Sequence, residues 1–115
     1  MLLDLHNLYA NSVNFGLNPG EFLSLLPMKA IHQVHISGGK WIDDGDASHR
    51  RLLDDHLHAP PEPVYELLAE LAARCPSPLT VILERDGSYP PMSHLLEHLD
   101  FARAALGAGR ARRAA

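Results

Sequence analysis

Two aspartates and two histidines lie within five consecutive positions, in the stretch LLDDHLHAPPEP. Carboxylate and imidazole side chains without neighbouring thiolates suit iron, manganese or zinc in a reactive site better than a structural zinc site. Side chains two residues apart on an extended segment point the same way, so we expect Asp54 and His56 to reach one metal ion together while Asp55 faces elsewhere. The three prolines that follow are expected to fix the direction in which the chain leaves this loop. A solvated loop rich in His and Asp is an equal interpretation of this stretch alone.

Three predicted strands also end in side chains that can bind metal. MLLDLHNLY begins with an apolar run, and its predicted strand ends over Asp4 to Asn7. AIHQVHISGG predicts a second strand that ends at His35, and LTVILE predicts a third that ends at Glu84. Active sites of parallel sheets and barrels form at the carboxyl edge of the strands, and the loop with Asp54 follows the second strand at that edge. These strand ends favour a metal site over a solvated loop.

Helices and strands alternate along the chain. The predicted order is strand, short helix (NPGEFLSLLP), strand, polar irregular loop (40–60), helix (PEPVYELLAELAARC), strand and helix (MSHLLEHLDFARAAL). This order predicts parallel strand pairing with right-handed crossovers. Gly107 is the predicted stop of the last helix, and residues 107–115 are expected to form a disordered basic tail. His49, in the polar loop, is expected to be exposed.

Length and composition bound the class of protein. The 115 residues suffice for one small domain, and 46% hydrophobic content is ordinary for a globular fold. A net charge of −4 gives no general affinity for nucleic acid or anionic membrane. No apolar run approaches the roughly 20 residues that span a bilayer. The single cysteine, Cys75, excludes an internal disulfide framework and fits a reducing compartment, so we expect a cytoplasmic protein.

Four segments resemble one bacterial family in order and spacing. LLDLHNLYANSVNFGLNP, QVHISGG, LLDDHLHAPPEPVYELL and VILERDGSYPP are similar to the C-terminal part of the multinuclear non-haem iron-dependent oxidative enzymes, which include the methanobactin-biosynthesis oxygenase. The resemblance covers roughly residues 2–105. It implies an α/β fold made of βα units of a partial, xylose-isomerase-like TIM barrel. Residues 1–106 would be its C-terminal portion, with about three parallel strands that do not close the barrel.

The resemblance also implies a ligand set and a cofactor. In this family two or three iron ions lie at the mouth of the barrel, although another divalent metal is possible here. The strand-end ligands would be Asp4, His35 and Glu84, and the loop ligands Asp54 and His56. Asn7 would be a weaker candidate, as a ligand or as a donor to the ligands, and His6 and His58 would lie beside them without being ligands. Apart from the resemblance, Asp86 follows Glu84 by two residues, so we expect it either to support the site or to form the turn.

Three functions fit these expectations. By resemblance, the chain is the C-terminal half of an iron oxygenase that oxidatively modifies cysteine in a ribosomally made peptide brought by a delivery partner protein. Family members are more than twice as long, so a missing N-terminal half or a second copy is expected to complete the metal cluster. The alternative is a truncated, inactive remnant or interaction module that self-associates and binds metal weakly. A metal-dependent isomerase or endonuclease of similar barrel type fits the HISGG and Asp-x-His motifs less well, and the acidic charge disfavours DNA.

Overall fold

Three short parallel strands form the central sheet of the protein. The computed structural model describes residues 1–43 and 50–115. The strands are β1 (Leu2–Asp4), β2 (Gln33–Ile36), β3 (Lys40–Asp43), β4 (Arg50–Leu53) and β5 (Thr80–Leu83). The helices are α1 (Leu5–Phe15), α2 (Pro19–Ser24), α3 (Glu62–Arg74) and α4 (Met92–Ala114), with a 3-10 turn at Met28–Ala30. The sheet has the order β1-β2-β5, and the described residues do not close it into a barrel. This confirms the predicted α/β fold with three parallel strands.

Helix α1 follows β1 without a loop, where the sequence analysis expected extended chain as far as Asn7. Asp4 ends the strand and caps the helix, because its Oδ1 accepts a hydrogen bond from the backbone N–H of Asn7 at 3.0 Å. Gly16 ends the helix at a φ of +67°, which glycine adopts readily. The strand prediction was wrong beyond Asp4, since Leu5 and Leu8 are buried on one side of this helix.

The core lies between the sheet and the helices. Val34 and Ile36 of β2 are fully buried, as are Leu68 and Leu71 of α3. Each such side chain stabilises the fold by about 1.5–3 kcal/mol when removed from water. In the described parts of the chain, no helix combines the length and apolar character needed to cross a bilayer.

The predicted helix stop at Gly107 was wrong, and residues 107–114 lie within α4. Gly109 is buried against α3, where an added Cβ would come within 2.2 Å of the carbonyl oxygen of Ala69. Arg110 then donates to the backbone carbonyls of Cys75 (2.9 Å) and Ser77 (2.6 Å). These carbonyls follow the end of α3, where helix geometry leaves acceptors without partners. The arginines expected in a tail therefore help to hold α4 against α3.

The segment expected to be irregular contains a β-hairpin. β3 and β4 pair in antiparallel fashion, with Trp41 opposite Leu52. The side chain of Asn14 on α1 donates to the carbonyl of Leu52 at 2.9 Å and accepts from its N–H at 2.8 Å. Residues 44–49 lie outside the described residues, and so does the predicted exposure of His49.

Candidate metal centre

The carboxyl ends of the three parallel strands meet at one edge of the sheet. Asp4, the last residue of β1, lies in register with His35 of β2. Glu84 directly follows β5, and its N–H donates to the carbonyl of Ile36 at 2.9 Å. Parallel pairing therefore places these three strand-end side chains along the same edge, as the sequence indicated.

Asp4, His56 and Glu84 form a group with the geometry of a metal site. Each offers one ligand atom, and these atoms lie within 4.8 Å of one another. His56 Nε2 is 3.9 Å from Asp4 Oδ2, and His56 Nδ1 is 3.4 Å from Glu84 Oε2. All three side chains are partly buried, so water has limited access to their polar atoms.

Asp54 and His35 extend this group on either side. Asp54 Oδ1 lies 3.1 Å from His56 Nε2. His35 Nδ1 contacts Glu84 Oε1. The structure thus brings all five side chains predicted as ligands into one connected cluster.

Two buried atoms of the cluster make no hydrogen bond. His56 Nε2 and Glu84 Oε2 are inaccessible to solvent, and neither has a partner of hydrogen-bonding geometry among the described residues. Leaving such groups unsatisfied costs about 1–3 kcal/mol each. A cation bound within the cluster would give such atoms a partner, and carboxylate oxygens with imidazole nitrogens suit iron and related divalent metals. The residues present therefore fit a metal ion.

The carboxylates around His56 favour positive charge at the centre of the cluster. Burial lowers the pKa of His56, but the negative charges of Asp54, Glu84, Asp4 and Asp86 raise it, and the resulting pKa lies above the usual value for histidine. A metal cation bound within the cluster would place positive charge among the same carboxylates.

His6 and Asn7 hold the carboxylate of Asp54. His6 is fully buried, and its Nδ1 lies 2.7 Å from Asp54 Oδ1. Asn7 Nδ2 donates to Asp54 Oδ2 at 3.3 Å. Both oxygens of Asp54 therefore have partners on α1, which fixes the orientation of this carboxylate.

His58 and Asp86 have different positions relative to the cluster. His58 Nδ1 lies 3.1 Å from Asp55 Oδ1, on the outer side of the loop, and neither residue joins the cluster. Burial raises the pKa of Asp55, but hydrogen bonds from Leu57 N–H and His58 lower it more, so the net pKa is below its usual value. Asp86 is mostly exposed, with Oδ2 at 3.2 Å from His56 Nδ1.

The sequence predicted an extended loop at Asp54 and His56, but the loop is not extended. His56 has a φ of +58°, in the left-handed region. Its N–H donates to the carbonyl of Gly38 at 3.2 Å, and its carbonyl accepts from Asp86 N–H at 2.8 Å. The contact of His56 with Asp54 therefore comes from a turn held between two other loops.

Two glycines and one asparagine position the site, and their roles were not predicted from the sequence. Gly38 and Gly39 contributed to the HISGG motif without a structural role, but an added Cβ would lie 2.0 Å from Ala59 O at Gly38 and 1.8 Å from Leu53 O at Gly39. They allow the ligand loop to approach the sheet edge closely. Asn14, which holds β4, was not identified, because an asparagine within a helix has no distinctive spacing.

Known proteins share sequence similarity with nearly the whole chain. A family model described as RiPP precursor modification enzyme MbnB/TglH/ChrH matches residues 1–107. A UPF0276 protein of Caulobacter vibrioides is 34% identical over 110 residues, covering 96% of this chain and 37% of the relative. A UPF0276 protein of Streptomyces avermitilis is 39% identical over 106 residues (92% and 20%), and one of Bordetella bronchiseptica 34% over 111 residues (96% and 38%). The chain thus spans well under half the length of these relatives, and the match confirms the family resemblance.

Proposed function

The chain belongs to the RiPP precursor modification enzyme family MbnB/TglH/ChrH, and we propose that it forms the metal-binding, C-terminal portion of an iron-dependent enzyme that oxidises cysteine in a ribosomally made precursor peptide. One observation carries the proposal. Asp4, His56 and Glu84 place ligand atoms within 4.8 Å of one another, and two buried atoms of this group make no hydrogen bond to the described residues.

Five side chains would hold the metal in this proposal: Asp4, His35, Asp54, His56 and Glu84. Bound iron would supply the redox chemistry that couples dioxygen to oxidation of a thiol. The chain's own residues bind and orient. His6 and Asn7 fix the carboxylate of Asp54, and the partial burial of the cluster limits the access of water. The same donor set also suits other divalent transition metals.

The proposed substrate is a peptide, which the family description supports. The polar cluster lies at the sheet edge, beside the loops that follow β2 and β5, where an extended peptide chain can approach it. A delivery partner protein that brings the peptide belongs to the same proposal. Reaction in the cytoplasm fits the free, buried Cys75.

The open sheet supports completion of the site by further chain. Within the described residues, β1 and β5 each pair with β2 alone, so each has a free outer edge. Leu2 on β1 is 50% exposed and Ile82 on β5 is 36% exposed. Free edges with apolar side chains favour pairing with another strand. We propose that an N-terminal half, or self-association of this chain, covers these edges and supplies further ligands.

The open edges also favour a second candidate function. A chain that spans 37% of a relative and holds only part of a ligand cluster can act as a non-catalytic module that self-associates and binds metal weakly. This candidate predicts the same fold, but not tight iron binding by the isolated chain.

Elemental analysis after anaerobic loading with ferrous iron and gel filtration separates the two candidates. The first expects stoichiometric iron that the double substitution Asp54→Ala/His56→Ala removes. His58→Ala is the matched control, because His58 lies in the same loop but contacts Asp55 outside the cluster. No retained iron in the unsubstituted chain would contradict a self-sufficient site and favour the non-catalytic module.

A further inference from the structure

The β3–β4 hairpin begins and ends at the candidate metal centre. Gly38 and Gly39 lead from β2 into Lys40, the first residue of β3. Leu53, the last residue of β4, directly precedes Asp54. A peptide bound along this hairpin would therefore lie beside the cluster.

One edge of the hairpin is occupied by the chain itself. Asn14 makes two hydrogen bonds to Leu52, one to the carbonyl and one from the N–H. These are the bonds that a neighbouring strand would make to that residue. Leu52 is also buried against the body of the protein, so the outer edge of β4 is closed at this point.

The bonds of Leu52 determine the direction of the backbone groups of Trp41. In an antiparallel ladder, opposed residues alternate between pairs that exchange hydrogen bonds and pairs that do not. Leu52 points its N–H and carbonyl toward Asn14, so Leu52 and Trp41, which are opposed, form a pair that does not exchange bonds. The N–H and carbonyl of Trp41 must therefore point away from β4, along the outer edge of β3.

That outer edge is free in the described part of the chain. Within residues 1–43 and 50–115, no backbone hydrogen bond from outside the hairpin reaches Trp41. Its side chain is 39% exposed and stacks with Arg50, whose Cζ lies 5.0 Å from the ring centroid. Side chains of a strand stand roughly perpendicular to the sheet, so this stacking lies on the face of the hairpin and leaves the edge open.

We infer that the outer edge of β3 binds the precursor peptide as an added strand, through the outward backbone groups of Trp41 and of Asp43, the next residue in the same alternation. This inference rests on the proposed function, which supplies the occupant, a peptide in extended conformation. Main-chain pairing tolerates varied sequence and fixes position along the strand. Trp41 lies three positions after Gly38, whose carbonyl accepts a hydrogen bond from His56 N–H. At about 3.3 Å per residue, the reacting residue of the peptide would lie roughly three residues from the one paired with Trp41.

The first test uses peptides selected for binding to the chain from a random-sequence library with one fixed cysteine. Each selected peptide is then N-methylated at one backbone position at a time, and its affinity is measured by fluorescence anisotropy. Strand addition expects losses at alternate residues only, because every second N–H of the peptide faces β3. Recovery of no peptide, or losses without a two-residue period, would overturn the inference.

The second test compares two substitutions at Trp41. Trp41→Pro removes the outward N–H but no bond of the β3–β4 ladder, and proline is tolerated on edge strands at such positions. Trp41→Val keeps the N–H and removes the ring. We expect Trp41→Pro to bind peptide roughly tenfold more weakly than Trp41→Val. Equal affinities, or a dimer of this chain joined along β3 that peptide does not disrupt, would refute the assignment. If Trp41→Pro does not fold, the N-methylation pattern alone decides.

Iron content of the same proteins distinguishes failure of this inference from failure of the proposed function. In one outcome, the unsubstituted chain and both variants retain iron while N-methylation causes no alternating loss of peptide affinity. That result refutes only peptide binding at the outer edge of β3. Alternating losses in a chain that retains no iron support the edge and contradict the metal site.

Discussion

Substitution of Gly39 by alanine tests how closely the ligand loop must approach the sheet. The added Cβ would lie 1.8 Å from the carbonyl oxygen of Leu53 and 2.6 Å from Cε1 of His6. Cβ contacts below 3.0 Å essentially do not occur, so the separation between this Cβ and Leu53 O must increase by at least 1.2 Å. Asp54 directly follows Leu53, and we expect the shift to reach its carboxylate. Overpacking of this kind costs about 1–3 kcal/mol, and we expect the upper end because backbone is displaced.

The expected results are a lower free energy of unfolding in urea and loss of iron after anaerobic loading. Gly107→Ala is the matched control, because no described residue lies within 4 Å of the added Cβ and the position is inside α4. Alanine is the better helix former there, so the control should gain about 0.5–1 kcal/mol. A Gly39→Ala chain with unchanged stability and full iron content would refute the close-approach argument.

Three further changes have defined outcomes. Burial lowers the pKa of His98 in the folded state. The contribution of His98 to the free energy of unfolding is therefore present above the unfolded pKa of 6.5 and is lost as the pH falls through the folded pKa. In thermal unfolding, His98→Gln should lose less stability between neutral and acidic pH than the unsubstituted chain does. Asn14→Ala leaves the buried backbone groups of Leu52 unpaired at a cost of about 1–3 kcal/mol, and amide hydrogen exchange in the hairpin should accelerate; unchanged exchange would contradict the anchoring role. Arg110→Ala removes two hydrogen bonds to carbonyls after α3 and should lower the free energy of unfolding in urea by about 1–3 kcal/mol. Arg112→Ala, at an exposed position, should change it little. Equal effects of the two substitutions would contradict the role of Arg110 in holding α4 against α3.

The sequence predicted the parts of the fold that depend on local pattern. Apolar runs that end in polar residues located the three parallel strands, and their order implied a common carboxyl edge. Asp4, His35 and Glu84 lie at that edge for this reason. Helix α1 was missed because the strand was expected to continue from Asp4 to Asn7, whereas Asp4 is the N-cap of a helix. Gly16 carried the matching signal for the end of that helix.

Contacts between distant segments could not be predicted in this way. The extension of α4 past Gly107 depends on carbonyls some 33 and 35 positions earlier, to which Arg110 donates. The turn at His56 depends on Gly38 and on the loop after β5. Propensity favours a helix end at glycine and an extended Asp-x-His segment, and tertiary contacts override both preferences.

Asp4 divides its two carboxylate oxygens between structure and site. Oδ1 caps α1, and Oδ2 faces His56. A single alanine substitution would therefore confound two losses, since a weakened helix start and a missing ligand both reduce bound metal. Serine separates them, because its hydroxyl can cap the helix but carries no charge toward His56. If Asp4→Ser folds normally, its stability shows that the helix cap is kept. Any metal binding lost in Asp4→Ser then shows what the carboxylate charge of Asp4 contributes to the site.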